Sequence, residues 1–307
     1  SKVVRFYLRK STKKLVLSLR GSANVIATAT PTQNDIAGRL NADSLQKAFN
    51  DLGYRNDPSN NRFDFDVFER NAWATRSVDY TIYHTMFWSH DRASLTRSER
   101  DDIRNYVGSG EPGKKKNLAI SGQGFPSQHS GSTIASDVNF VQYVLRAVNQ
   151  SPGTPFPSTY SGRRVEGRAI ARGSSDNVTR TGFLNDAEPL PALIRIYSDP
   201  TTSGIANIAY SYRAGDRSTV DSIMGTATAA ITNNTVYLGV DWRHFNRSGV
   251  RTGIERVVRG IFDFFESNGG GLVPVELVSF DAKARGNDVD VFWSTASEKN
   301  TDHFDVA

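Results

Sequence analysis

Strand and helix patterns alternate along the first half of the chain, and this alternation constrains the fold more than any other feature. Apolar periodicity and turn signals predict strands at 3–9, 14–19, 63–67, 80–88 and 117–121. Between them, helical periodicity begins at Leu45 and Val138, and a capping box of Thr96 and Glu99 opens another helix. Strands that alternate with helices form a mostly parallel sheet covered on both faces. The sequence therefore predicts an α/β fold of three layers.

The alternation is interrupted in the middle of the chain. At about 151–231, strand patterns follow one another without helical periodicity, which predicts a β-rich insertion or edge extension. The alternation resumes with a strand and with a helix opened by a second capping box, Thr252 with Glu255. A glycine run at 269–271 ends that helix and predicts a hinge. Residues 1–268 are thus expected to form one domain.

The segment after the hinge is short and rich in strand signals. Its stretches 273–280 (VPVELVSF), 292–298 (FWSTASE) and 303–306 (HFDV) closely resemble a recurrent segment of secreted proteins from Bacteroidota and their relatives. In those proteins the segment opens a fibronectin-type-III or immunoglobulin-like module, which commonly precedes the sorting domain of type IX secretion. The resemblance implies that 269–307 is a hinge with the first strands of such a module. It also implies an exported protein, extracellular or on the outer cell surface.

The larger domain resembles the class I glutamine-amidotransferase-like fold, a flavodoxin-type sheet. The resemblance depends on the strand–helix order, on the elbow-like 120–124 (ISGQG) and on the late segment 241–244 (DWRH). Working members place a cysteine at the elbow and a His-x-Glu pair after a late strand. Here Ser121 or Gln123 occupies the elbow, and the late segment offers Asp241 and His244 instead. The resemblance therefore implies a flavodoxin-like α/β domain without amidotransferase chemistry, followed by a partial β-sandwich segment.

Composition excludes several kinds of site. The chain has no cysteine, which excludes disulfide bonds, thiolate metal sites and cysteine nucleophiles. Its histidines are scattered without zinc-binding spacing, so no metal and no cofactor are predicted. Oxygen ligands for calcium could come from Asp57, Ser59, Asn61 and Asp64, but the glycine and glutamate of a calcium-binding loop are missing. A turn that caps its own backbone is the favoured interpretation.

The formal net charge is +5, and its one dense cluster is Lys114, Lys115 and Lys116. A solvated turn is the favoured interpretation, and the alternative is a contact with anionic lipid headgroups or acidic polysaccharide. No basic stripe interleaved with aromatic residues accompanies the cluster, so nucleic acid is not a predicted partner. No apolar run approaches the roughly 20 residues that a transmembrane helix needs. A membrane span is therefore not predicted.

A serine-hydrolase hypothesis can be built at the carboxyl edge of the predicted sheet. It takes Ser121 as nucleophile, His244 or His90 as base, and Asp241 or Asp91 as the residue that orients the base. The chain order Ser…Asp…His is allowed, but Ala119 stands where the G-x-S-x-G elbow has its first glycine. A tight strand-to-loop turn at Ser121 is the simpler interpretation.

A third hypothesis starts from Trp73, Trp88 and Trp242, which all fall near predicted strand ends, and assigns Trp73, His90 and Trp242 to a ligand-binding rim. Aromatic faces could stack on sugar rings there, although core aromatics that seal the sheet are the simpler interpretation. Ser44 and Ser222 each follow an aspartate and precede an aliphatic residue, which resembles the O-glycosylation motif of exported Bacteroidota proteins. They are candidate glycan sites.

The interpretation favoured by these features is a non-catalytic domain of an exported cell-surface protein, with a structural, adhesive or assembly role. Its expected partners are other cell-surface or extracellular proteins, further copies of the chain, or surface polysaccharide. The serine hydrolase and the carbohydrate-binding surface domain stay open as alternatives.

Overall fold

The structure is a computed structural model of the 307-residue chain. It describes residues 16–20, 43–54, 56–57, 62–63, 65–69, 80–90, 95, 97–122, 138–149, 163–171, 175–178, 194–197, 205–213, 220–240, 242, 245, 253–270, 277–285 and 288–295. The strand predicted at 3–9 and most of the turn at 57–64 lie outside the described residues.

Fifteen strands and three α-helices lie in the described part of the chain. The strands are β1 (Val16–Arg20), β2 (Asn56–Asp57), β3 (Arg62–Phe63), β4 (Asp66–Glu69), β5 (Thr85–His90), β6 (Lys116–Gly122), β7 (Ala147–Asn149), β8 (Arg163–Gly167), β9 (Ser175–Val178), β10 (Ile194–Ile196), β11 (Ile205–Arg213), β12 (Val220–Ala229), β13 (Asn233–Leu238), β14 (Leu277–Arg285) and β15 (Asp288–Thr295). The helices are α1 (43–51), α2 (Arg97–Gly108) and α3 (Gly253–Phe265). Among the described residues, no helix combines the length and apolar character needed to cross a membrane.

Five neighbouring strands form the parallel half of the main sheet. Their spatial order is β4, β1, β5, β6, β13, which becomes 2-1-3-4-5 when these five are numbered along the chain. Beyond β13 the sheet continues through β12, β11, β8 and β9, which pair antiparallel. The fold is therefore mixed α/β with a mostly parallel sheet of five strands, as the alternating pattern predicts. Strands β14 and β15 form a separate antiparallel hairpin.

The central parallel strands β5, β6 and β13 are buried on both faces, because an apolar layer covers each face. One face packs against α1 and α3, where the Phe49 ring lies 5.2 Å from Phe65 and 5.0 Å from Phe87. Phe87 in turn lies 5.3 Å from Phe262 of α3. The other face packs Trp88 and neighbouring strand residues against α2 and the turn that follows residue 138. Each large side chain buried in this way stabilises the fold by about 1.5–3 kcal/mol.

The structure corrects two of the predicted elements near β5. Tyr80–Ile82 is a 3₁₀ turn, and β5 begins only at Thr85. The turn closes through the Tyr83 amide, which donates to the Tyr80 carbonyl at 2.9 Å, and it lets the Tyr83 hydroxyl donate to Asp66 at 2.7 Å. The strand predicted at 63–67 is divided between β3 and β4, which belong to different sheets. At Tyr80–Tyr83 a turn hydrogen bond thus overrides the apolar alternation.

The helix predicted after Ser136 is also shorter than expected. Its described part is 138–144, and Phe140–Val144 is a wide π turn that the Leu145 amide closes on the Phe140 carbonyl at 3.2 Å. Arg146 follows with φ of 54°, a left-handed conformation that stops the helix and turns the chain into β7. The apolar period of the sequence continues past this point, so the end could not be read from it.

Candidate functional site

The carboxyl ends of the parallel strands meet at one edge, as the sequence predicts. The register pairs Ser121 of β6 with Ser89 of β5 and with Leu238 of β13, and it pairs His90 with Gly122. The strand order reverses between β1 and β5, and open α/β sheets bind ligands at such a reversal, outside the carboxyl ends of the strands. This carboxyl edge is therefore the first place to look for a site.

Ser121 is completely buried at that edge. Alternation along β6 places its side chain on the face that packs against α3, the face that also holds Ala119 and Leu238. Among the described residues, its Oγ has no hydrogen-bond partner. His244 and Asp241 lie outside the described residues, and so does the side chain of His90, so the triad geometry stays a prediction. A nucleophile must contact both its substrate and a general base, and Ser121 is buried with no described base on its hydroxyl.

Trp242 is a core residue of the same face. Its side chain is fully buried, and its ring lies 6.0 Å from that of Phe87. Its indole Nε1 is also buried and, in the part of the chain that the structure describes, has no hydrogen-bond partner. Trp242 therefore presents no exposed ring face for a sugar. Trp73 lies outside the described residues, and its role in a binding rim stays a prediction.

The two candidate glycan sites lie in different surroundings. Ser44 belongs to the first turn of α1 and is buried, with only 2% of its surface exposed. Ser222 lies in β12, opposite Tyr212 of β11, and its side chain is outside the described residues. Glycosylation at both serines stays a prediction.

At the opposite, amino edge of the sheet, a buried polar network joins three strands to the end of α3. Thr85, Asn117 and Asn234 pair across β5, β6 and β13 at one level of the register. Asn117 Nδ2 donates to the Thr85 hydroxyl at 3.2 Å and to the Gly270 carbonyl at 2.7 Å. Asn234 Nδ2 donates to Asn117 Oδ1 at 3.0 Å. Both asparagines are fully buried, so these bonds replace the water that their amides lose on folding.

The network requires a glycine at residue 270. A Cβ built on Gly270 would lie 2.2 Å from Asn117 Oδ1 and 2.3 Å from Asn234 Nδ2. Gly269, next to it, adopts φ of 73° and turns the chain out of the α3 helix. Within the glycine run that predicts a hinge, Gly270 thus makes a close contact with the sheet. Asn234 Oδ1 is the one buried atom of this amide pair without a partner among the described residues.

Tyr106 of α2 holds the same edge from the other face. Its fully buried hydroxyl lies 2.8 Å from the His84 carbonyl and 3.0 Å from the Asn117 carbonyl, and it donates to this pair. Burial raises the pKa of Tyr106 well above its ordinary value, because a phenolate there would lose its hydration. Lys116 Nζ lies 5.8 Å from the Tyr106 ring centroid. The amino edge is therefore fixed from both faces of the sheet.

Sequence reasoning missed this network. Asn117 and Asn234 stand at the second position of their strands, where a polar residue ordinarily marks the end of a buried run. A signal was present, because both strands carry an asparagine directly before an apolar run (NLAI and NTVYL). Matching positions of this kind predict a side-chain pair once the two strands are known to be neighbours.

The sequence has no match among known protein families or among curated proteins. A crystal structure of beta-galactosidase from Bacillus circulans sp. alkalophilus is a distant structural match, with a TM-score of 0.44 and 9% identity. The match covers 92% of this chain and 35% of that protein, so the chain spans about a third of its length. A likeness this distant says nothing about the activity of the chain.

Proposed function

We propose that the chain is a non-catalytic α/β domain of an exported cell-surface protein, with a structural, adhesive or assembly role. The observation that carries the proposal is the complete burial of Ser121, the elbow residue on which the hydrolase alternative depends. The proposal includes a flavodoxin-like sheet, which the strand order 2-1-3-4-5 supports. It also includes an immunoglobulin-like module that begins after residue 269, for which the hairpin of β14 and β15 is a suitable start.

The burial of Trp242 favours this role over the carbohydrate-binding alternative. Sugar-binding tryptophans present a ring face to solvent, whereas the Trp242 ring packs beside Phe87 in the core. The buried amides of Asn117 and Asn234 are engaged in joining strands to α3, which suits a domain that serves as a rigid element. Export and surface location are supported by the resemblance of the 273–306 stretches.

A serine-directed fluorophosphonate probe tests the non-catalytic part of the proposal on the intact chain. We expect no labelling at Ser121, located by mass spectrometry of the digested protein, and equal background labelling in Ser121→Ala. Ser98→Ala, which removes an exposed serine of α2, serves as the matched control for unspecific labelling. Stoichiometric labelling at Ser121 that disappears in Ser121→Ala, together with ester hydrolysis lost in the same variant, would establish the hydrolase instead.

Protease treatment of intact cells that make the protein tests its location. A surface protein is digested by protease added outside, while a cytoplasmic marker in the same cells is spared. Full protection of the chain until the cells are lysed would contradict the exported location. Mass spectrometry of the protein from those cells tests the glycan sites, because a glycan adds mass to the peptides that contain Ser44 or Ser222.

A further inference from the structure

Two exposed isoleucines lie beside the lysine cluster at the amino edge of the sheet. Ile82 is 61% exposed at the end of the 3₁₀ turn before β5, and Ile231 is 60% exposed in the turn between β12 and β13. Among the described residues these are the most exposed large apolar side chains. Nothing in the core requires an isoleucine at either turn, since both side chains point into solvent.

Lys116 stands between the two isoleucines and fixes both turns. Its Nζ donates to the Thr81 carbonyl and, at 3.1 Å, to the Tyr83 carbonyl, the two residues that flank Ile82. Its backbone amide donates to the carbonyl of Thr232, which follows Ile231, at 3.1 Å. The turns precede β5 and β13, two strands apart, so they lie about 10 Å from each other across the sheet. Ile82, Ile231, Lys114, Lys115 and Lys116 together are called the lysine patch below.

The charge of the lysine patch is predominantly positive. Lys114 is exposed, and partial burial lowers the pKa of Lys115, whose ammonium would be stabilised by a nearby anion. In the adjoining turns the described structure places Glu111, in the same turn as Lys114, and Glu266, after α3. Asp102 and Glu99 of α2 lie near Tyr80, on the side of the 3₁₀ turn that faces α2. Within the turns themselves, two carboxylates stand against three ammonium groups.

We propose that the lysine patch docks the domain onto a bilayer surface that carries phosphate-bearing anionic lipids. Lysines attract such a surface, and aliphatic side chains beside them enter the boundary between headgroups and acyl chains. Membrane docking through the lysine patch does not depend on the non-catalytic role or on export. If docking fails, the proposed function still stands, and if the proposed function fails, docking still stands.

Other occupants fit these residues less well. An acidic polysaccharide offers no apolar medium for two isoleucine side chains. A second copy of the chain, docked by the same patch, would bring lysines against lysines, which costs binding energy. The centre of a protein–protein interface is depleted of lysine, whereas here Lys116 lies between the two apolar residues.

Vesicle co-sedimentation with the full chain tests the proposal. At low salt we expect the chain to sediment with vesicles of phosphatidylglycerol and phosphatidylcholine and to stay in solution with pure phosphatidylcholine. Binding should fall about tenfold in Ile82→Ser/Ile231→Ser and in Lys114→Gln/Lys115→Gln, and it should fall steeply with added salt. Lys116 is kept, because it holds both turns.

Two exposed residues away from the patch provide matched controls. Lys47→Gln removes an exposed lysine of α1, and Tyr143→Ser removes a side chain that is 42% exposed in the π turn. Both should bind vesicles like the parent chain, and all variants should keep its far-UV circular dichroism. The proposal is wrong if the parent chain ignores anionic vesicles at low salt, or if the double isoleucine variant binds them equally well. Concentration-dependent self-association that is lost in that variant, without vesicle binding, would assign the patch to a protein interface and overturn the proposal.

Discussion

The two edges of the parallel sheet pair their buried polar groups to different extents. At the amino edge, Asn117 Nδ2 donates to the Thr85 hydroxyl and the Gly270 carbonyl. The Tyr106 hydroxyl donates to the His84 and Asn117 carbonyls, and only Asn234 Oδ1 of this network lacks a partner among the described residues. At the carboxyl edge, Ser121 Oγ and Trp242 Nε1 are buried and lack a partner among the described residues. An unpaired buried group costs about 1–3 kcal/mol, whereas a paired one contributes about 1 kcal/mol. Among the described residues, the amino edge therefore carries more of the stabilising polar pairing, although the Tyr237 hydroxyl also donates to the Gly122 carbonyl at the carboxyl edge.

This difference bears on function because α/β proteins ordinarily place their chemistry at the carboxyl edge. Here the carboxyl-edge serine is enclosed by the apolar layer under α3, and among the described residues the two most exposed isoleucines and the lysine cluster lie at the amino edge. A domain of this kind is suited to contacts made through its amino edge. The lysine patch lies there, directly beside the amide network.

The largest effect should come from filling the space above the amide network. Gly270→Ala places a methyl group 2.2–2.3 Å from buried amide atoms of Asn117 and Asn234, and should lower the free energy of unfolding by about 3 kcal/mol. Gly269→Ala is the matched control, because its Cβ would meet only Lys115 Cε at 3.8 Å and its positive φ costs about 1 kcal/mol. Urea unfolding measures the free energy of unfolding of both variants. An equal loss in the two would mean that the space between Gly270 and the amides of Asn117 and Asn234 accommodates a methyl group.

A smaller effect should separate the buried tyrosine hydroxyls of the two edges. Tyr106→Phe removes a donor shared by two carbonyls and should lower the free energy of unfolding by about 2 kcal/mol. Tyr237→Phe removes one hydrogen bond, 3.0 Å long, to the Gly122 carbonyl at the carboxyl edge, and should cost about 1 kcal/mol. A greater loss in Tyr237→Phe would reverse the ranking of the edges.

The raised pKa of Tyr106 also predicts a dependence on pH. Above the ordinary value of 10.0 the unfolded chain loses the Tyr106 proton while the folded chain keeps it, so stability falls as pH rises past that point. Tyr106→Phe lacks this titration, so the stability difference between the parent chain and the variant should shrink as pH rises above 10.0. Urea unfolding at a series of alkaline pH values measures this stability difference. A difference that stays constant would mean that the Tyr106 hydroxyl ionises equally in the folded and unfolded chain.

Much of the sheet could be predicted from local sequence, because strand and helix signals lie within a few residues of each other. The strand predicted at 117–121 lies within β6 (Lys116–Gly122), and the helix opened by Thr252 and Glu255 begins at Gly253. The 3₁₀ turn at Tyr80 was not predicted, since its geometry depends on the hydrogen bond from Tyr83 to Asp66, a residue of another strand.

The amide network could not be predicted for a different physical reason. Its members Thr85, Asn117, Asn234 and Gly270 are far apart in sequence, and each by itself looks like a polar strand end or a glycine hinge. They become one feature only through the parallel register that brings the three strands together. The elbow at Ser121 suggested a catalytic serine, because a strand followed by a turn of small residues is typical of a nucleophile. The local sequence does not reveal how deeply such a turn is buried.

One pair of substitutions on β6 decides whether the two edges differ as described. Asn117 and Ser121 lie four residues apart on the same face of the strand, and both are fully buried. Asn117→Ala should lower the free energy of unfolding by about 3 kcal/mol, because it leaves the Gly270 carbonyl and Asn234 Nδ2 unpaired. Ser121→Ala should not lower it and should raise it by about 1 kcal/mol, because the variant no longer buries a hydroxyl that has no partner among the described residues. Urea unfolding of the two variants beside the parent chain should show that contrast, and equal losses, or a larger loss for Ser121→Ala, would contradict it.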